Sequence, residues 1–253
     1  MLVQTLHRRI ADDVSVMHDA ARDILPKDMP AVYTDRQLTL VSFLKKLNRV
    51  TEPLGLYNEI NRDKALEADD VLLAGLWIPE AQLPENESAA DIRILWNVHP
   101  DTRRWTVTPS RWNRMRFRFW VFIMHELIHR YQDAYRPAKQ HSKTFNVVSN
   151  QRNIKVDQEH LGDFDEIEAH AFESAVELHI FWPHLSFKEA LDTSLAYTGP
   201  IDQTSQHYFG VFYDAPKHPA YRAFRRKLRA WYDDMTEHPE VYATLELPKL
   251  VCT

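Results

Sequence analysis

The residues best equipped for chemistry stand in one short run, His125-Glu126-Leu127-Ile128-His129, the pattern H-E-x-x-H. On a helix, side chains four apart lie one turn above each other on one face. Both imidazoles can then reach a single metal ion, while Glu126 projects beside them toward a water bound on that ion. Zn²⁺ lowers the pKa of such a water from 15.7 to about 7 and polarises a scissile carbonyl, so Glu126 would take the proton and pass it to the leaving amine. The competing reading is a helix with two ordinary histidines. The apolar flank of Phe117, Trp120, Val121, Met124 and Ile128 favours a buried metal helix instead.

A catalytic zinc site needs a third protein ligand and one open position. The run from Asp165 to Glu173 offers candidates, and helical spacing sorts them. Glu166, His170, Glu173 and Glu177 share one face at steps of four, three and four, which predicts a solvated polar stripe. Glu168 falls with Ala171, Phe172, Ala175 and Leu178 on the apolar side, where a carboxylate needs a cation or strong donors. That makes Glu168 the expected third ligand, and an ion pair with an arginine its alternative. His141, in His141-Ser142-Lys143-Thr144-Phe145, is the rival ligand; its other role is that of a donor orienting a ligand.

The elements that must position these groups follow from composition and periodicity. The 253 residues are 44% hydrophobic and 26% charged, enough for a sizeable core, and only 5 are glycine. That favours a mostly helical chain over a turn-rich sandwich, so the expected fold class is mainly α with a small β element, the H-E-x-x-H helix packed under a short antiparallel sheet. Leu6, Ile10, Val14, Met17, Ala21 and Ile24 recur at helical spacing until Pro26, and a second helix runs from Asp35, a candidate N-cap, to about Val50. Residues 79–90, polar and broken by prolines, read as an exposed loop between an N-terminal helical region, 1–78, and a metallopeptidase region, 91–253, unless the two form one continuous domain. Ile92, Ile94, Trp96 and Val98 alternate, and after His99-Pro100-Asp101 a second extended run, Trp105 to Thr108, predicts an antiparallel hairpin. Pro109-Ser110 then opens a long helix to Tyr135, with further helices at about 142–152, 163–180 and 218–236.

Two segments, HELIHRYQ and GDFDEIEAHAFESAVEL, together resemble the gluzincin-type zinc metallopeptidases, above all the often phage-encoded ones with HELxH and a downstream EIEAxA helix. The resemblance spans about residues 91–180. It implies Zn²⁺ held by His125, His129 and Glu168, with Glu126 as general base of peptide hydrolysis. HELIH followed by HSKTF is also similar to the SprT-like DNA-associated proteases, which implies His141 as third ligand. Ser142 stands where that family has glycine, and the single cysteine, Cys252, leaves no zinc ribbon.

The function expected is thus a zinc-dependent peptidase acting on a peptide or protein substrate, whose extended chain could pair with an edge of the 91–108 hairpin. A non-catalytic structural protein of an assembly such as a virion is the alternative from another class. A formal charge of -5 argues against nucleic acid or an anionic membrane as partner. Arg111, Arg114 and Arg118 are therefore expected to pair with local carboxylates, and the basic cluster of Arg222, Arg225, Arg226, Lys227 and Arg229 to be a solvated face or a docking surface for a protein. His170, His179, His207 and Tyr208 are conceivable oxyanion donors that packing roles explain as well. No apolar run approaches the roughly 20 residues that cross a bilayer, and the N-terminus lacks a secretory h-region, so the expected compartment is the cytoplasm.

Overall fold

The computed structural model describes residues 2–30, 37–67, 71–78, 91–135, 152–199, 203–212 and 217–239. It is α+β and mainly helical, and among the described residues the short strands lie in the first half of the chain. Contacts divide it into two compact units. Of the described residues, one holds those from 8 to 130 and the other holds 2–7 and those from 131 to 239. Two helices, α1 (Leu2–Ala21) and α3 (Pro109–Tyr135), have residues in both.

In the first unit a three-stranded sheet is built from β2 (Leu56–Arg62), β3 (Val71–Trp77) and β4 (Ile92–Val98), in the order β2-β4-β3. β4 pairs parallel with β2 and antiparallel with β3. The alternation read from the sequence is real: Ile92, Ile94, Trp96 and Val98 are all fully buried, and the residues between them are half-buried. The hairpin is not. Both edges of β4 are taken, so the strand after the His99–Thr102 turn, β5 (Arg104–Thr106), pairs instead with β1 (Gln37–Thr39) in a separate antiparallel ribbon. The sheet is accordingly mixed rather than antiparallel.

Helix α2 (Leu40–Thr51) and α3 supply the aromatic core of this unit. Phe43 meets Trp96 edge-on at 5.6 Å and Trp112 at 6.2 Å, while Phe119 lies 6.3 Å from Trp96 and 5.1 Å from Trp120. Each such side chain removed from water contributes about 1.5–3 kcal/mol. Among them sits one charge, Arg116, which is wholly buried; its Nε and Nη1 donate to the carbonyls of Leu25 and Lys27, each at 3.1 Å. Those carbonyls follow α1, so the guanidinium ties the segment after that helix to α3. Helix α3 begins where Pro109-Ser110 predicts, but α2 begins four residues later than expected, with Thr39 at its N-cap, because 37–39 are strand; its candidate cap Asp35 lies outside the described residues.

In the second unit α5 (Phe164–Phe181) is central. Asp163 caps it, its side chain accepting from Asp165 N at 2.8 Å. One side packs on α8 (Pro219–Glu237), where Phe172 and Trp231 meet edge-on at 4.9 Å. The shorter helices α4 (Arg152–Leu161), α6 (Phe187–Ala196) and α7 (Thr204–Val211) pack round it. Residues 136–151, which include His141 and most of the helix expected at 142–152, lie outside the described residues, as does the loop 79–90.

Candidate metal centre

Helix α3 delivers the first two candidate ligands as its 3.6-residue period requires. His125 and His129 face each other with Nε2 atoms 3.2 Å apart and ring centroids at 4.9 Å. Zn–N bonds of about 2.0–2.1 Å place tetrahedral ligand atoms roughly 3.3 Å apart, so the pair has the spacing that one shared ion demands. One hydrogen bond between two neutral rings has the same length. His125 is buried and His129 half-buried.

Glu126 is 5% exposed. It points from α3 to the inner face of the sheet, against Gly75 of β3: a Cβ placed on Gly75 would lie 2.8 Å from Glu126 Cγ and 2.9 Å from its Cδ. Carbon atoms in ordinary contact stay about 3.5–4.0 Å apart. Glycine is therefore the residue that lets strand and carboxylate come this close. Gly75 stands in register with Ile94, on the buried face of the sheet.

The two glutamates of the EIEA run are placed differently. Glu168, on the side of α5 that meets α8, forms an ion pair with Lys227 and accepts from Trp231 Nε1 at 2.8 Å. Its need for a cation and a donor is met by these two, the cation being a lysine rather than an arginine. Glu166 lies on the opposite side, with its Oε2 3.7 Å from His160 Nε2 and 3.6 Å from His170 Nε2. His170 in turn donates from Nδ1 to Glu173 at 3.1 Å.

The stripe that the sequence predicts to be solvated is not. Glu173 and Glu177 are 3% and 1% exposed, and the side chains of Glu166 and His170 retain under a fifth of their surface. Glu177 accepts from the backbone N–H and the hydroxyl of Thr204, at 2.9 and 3.2 Å, so it caps the start of α7. The stripe is buried because α4 and α7 pack near it, and its polar groups serve one another and those helices. His160 is a member of this cluster that the sequence does not reveal: it lies on α4, and its spacing from Glu166 and His170 crosses the turn between the helices and carries no periodic signal.

Of the conceivable oxyanion donors, Tyr208 is buried, donates to the Leu161 carbonyl at 3.0 Å and stacks on Phe224 at 3.9 Å. His179 donates to the Tyr232 carbonyl at 3.0 Å and stacks on that ring at 4.2 Å. These contacts give both a packing role. His207 is exposed. Of the arginines ahead of the motif, Arg111 donates to the Thr106 carbonyl at 3.1 Å and Arg118 lies over the Phe117 ring at 5.7 Å. Among the described residues no helix is long and apolar enough to cross a membrane.

Comparison with models of protein families, with curated proteins and with solved structures finds no match for this chain.

Proposed function

We propose that the protein is a zinc-dependent peptidase in which His125 and His129 hold the metal and Glu126 is the general base. The observation that carries this is the pairing of two imidazoles at metal-sharing distance with a buried glutamate between them in sequence. The donor types suit Zn²⁺ among the divalent ions. When bound, the ion would acidify a coordinated water and withdraw electrons from the scissile carbonyl.

The remaining steps belong to the chain's own residues. Glu126 accepts the proton released as water adds to the carbonyl carbon, then delivers it to the amide nitrogen as the C–N bond breaks. A carboxylate pinned against a strand is suited to this, because general-base efficiency depends first on position. The family resemblance implies Glu168 as the third ligand, and the SprT-like resemblance implies His141. Glu168 is engaged by Lys227 and Trp231, which an ion there would have to displace.

The experiment is cleavage of an unfolded protein such as denatured casein by the full chain reconstituted with zinc, read by mass spectrometry. His129→Ala should lose the zinc and the cleavage, and Glu126→Gln should keep the zinc and lose the cleavage. Loss of zinc in Glu168→Gln but not in His141→Ala assigns the third ligand to Glu168, and the reverse assigns it to His141. Zinc uptake with cleavage indifferent to Glu126→Gln would favour a metal-bearing structural protein instead.

A further inference from the structure

We propose that the exposed face of α8 docks an acidic, extended segment of a partner protein, whose carboxylates meet an arginine cluster and whose apolar side chain enters a neighbouring cleft. The surface lies wholly within the second unit and does not rest on the peptidase reading. Arg222, Arg225, Arg226 and Arg229 are all exposed. Each has two of the others three or four residues away, so they form a lozenge on one helix face, about 10 Å long at 1.5 Å per residue. Neither Arg222 nor Arg226 has a carboxylate partner among the described residues. Arg225 lies over the Tyr221 ring at 5.9 Å, and Arg229 donates to Asp233 at 3.3 Å, an exposed contact that a partner's carboxylate can replace. Lys227 is engaged elsewhere, in its ion pair with Glu168.

This charge pattern costs α8 stability instead of adding to it. Like charges three and four residues apart repel. The helix dipole favours acids in the first turn and bases in the last, and α8 has neither. Carboxylates set between the arginines offset the repulsion, and each planar guanidinium can pair with one through two parallel hydrogen bonds. At the C-terminal end of the cluster a cleft of about 400 Å³ opens between α8 and the start of α6, with Leu185, Phe187, Tyr232 and Thr236 in its lining. Its wall is fixed, because Tyr232 donates its hydroxyl to the Leu185 carbonyl at 2.6 Å and its ring lies 5.5 Å from that of Phe187. Arg229 joins cluster and cleft, its guanidinium standing 5.9 Å over the Phe187 ring. Asp233 at the rim repels a carboxylate, so the cleft selects an apolar side chain.

Length sets the form of the partner. From Arg222 to Thr236 the helix rises about 21 Å, which an extended chain covers in about six residues. Alternate side chains of such a chain stand ~6.7 Å apart, close to the ~6 Å rise between Arg222 and Arg226. The apolar side of α8, with Phe224, Leu228 and Trp231, is buried, which leaves the helix no face to insert into a membrane. A nucleic-acid strand carries a negative charge at every residue and meets a chain of formal charge -5, which disfavours it against a short acidic segment.

The test is fluorescence anisotropy of the full chain with the labelled peptide FAEAEAEAF at low ionic strength, the phenylalanine at each end allowing either chain direction. The peptide should bind, and the double variant Arg222→Gln/Arg226→Gln should weaken binding ~10-fold. Replacing both phenylalanines of the peptide by alanine should weaken it at least ~10-fold. No binding, equal binding of FAQAQAQAF, or binding indifferent to the arginine substitutions overturns the proposal. Tighter binding of a dT oligonucleotide than of the peptide, lost in the same variant, overturns the choice of partner in favour of phosphate. The substituted arginines are exposed and repel one another, so the double variant should melt no lower than wild type by circular dichroism. Should it fail to fold, the comparison of FAEAEAEAF with FAQAQAQAF on wild type decides alone. Failure of the peptidase reading would appear separately, as hydrolysis that survives Glu126→Gln.

Discussion

Replacing Gly75 by alanine should be costly, and the cost should depend on Glu126. The new methyl would sit 2.8–2.9 Å from Glu126 Cγ and Cδ, well inside the usual 3.5–4.0 Å carbon contact. Cγ is one bond from the helix-fixed Cβ, so a rotation of the distal carboxyl alone does not relieve the overlap. Either χ1 leaves its rotamer or β3 moves. Overpacking of this kind costs about 1–3 kcal/mol, against which the intrinsic gain of alanine over glycine in a strand returns ~0.5–1 kcal/mol. In the Glu126→Ala background the overlapping atoms are gone, and Gly75→Ala should become neutral or stabilising by that last amount. Urea unfolding of the four proteins of this double-mutant cycle should therefore give a coupling of about 1–3 kcal/mol between strand and helix. If the reading of Glu126 as general base is right, Gly75→Ala alone should also slow casein cleavage ~100-fold at unchanged zinc content, because a displacement near 1 Å has that effect. Equal destabilisation by Gly75→Ala in both backgrounds would refute the placement of Glu126 against this strand.

Arg116→Met should destabilise by about 2–4 kcal/mol in urea, since it leaves the Leu25 and Lys27 carbonyls without their donors; Arg104→Met, at an exposed position, should change stability by no more than ~0.5 kcal/mol. His179 is held below its ordinary pKa of 6.5 by burial, with its bond to the Tyr232 carbonyl opposing. The unfolded chain therefore takes the proton first on acidification, so this contribution is intact above pH 6.5 and is lost as pH falls toward the lower folded value. In chelator-treated protein, His179→Phe should flatten the fall in melting temperature over that window, and an unchanged pH profile would contradict it. Lys227→Met should lower stability and Trp231→Phe should lower it further, because both leave Glu168 short of a partner on the α5–α8 side. Stability unaffected by both would show that Glu168 is held by something else.

How far the sequence could be read depended on whether a signal was local. Helix α3 is legible because 27 residues run from Ser110 without glycine or proline before Pro137 and carry an apolar flank. The i, i+4 spacing then fixed His125 and His129 as neighbours. Strand β4 was legible from its alternation, but its partners were not. LYNEINR alternates weakly and mixes in polar residues; VLLAGLW is a plain apolar run with a glycine. Parallel pairing of β2 with β4 spans 36 residues and leaves no turn signature. The nearby His99-Pro100-Asp101 turn is real, yet it leads away from a strand whose edges are already filled. On α5, polarity does not mean exposure. A helix enclosed on several sides can bury a polar stripe when its members bond one another, and Glu173 with His170 and Glu177 with Thr204 do that. The Glu173–His170 bond lies within α5, but Thr204 belongs to α7, out of reach of any periodicity argument.

The central claim is that Glu126 works as a base beside a metal held by the α3 histidines. Casein hydrolysis by zinc-loaded Glu126→Gln, compared with wild type at equal zinc content, tests it most directly. Wild type should cleave, and the variant, with one zinc still retained through His125 and His129, should be slowed by a factor of at least ~100. Cleavage by the variant at the wild-type rate would contradict the account.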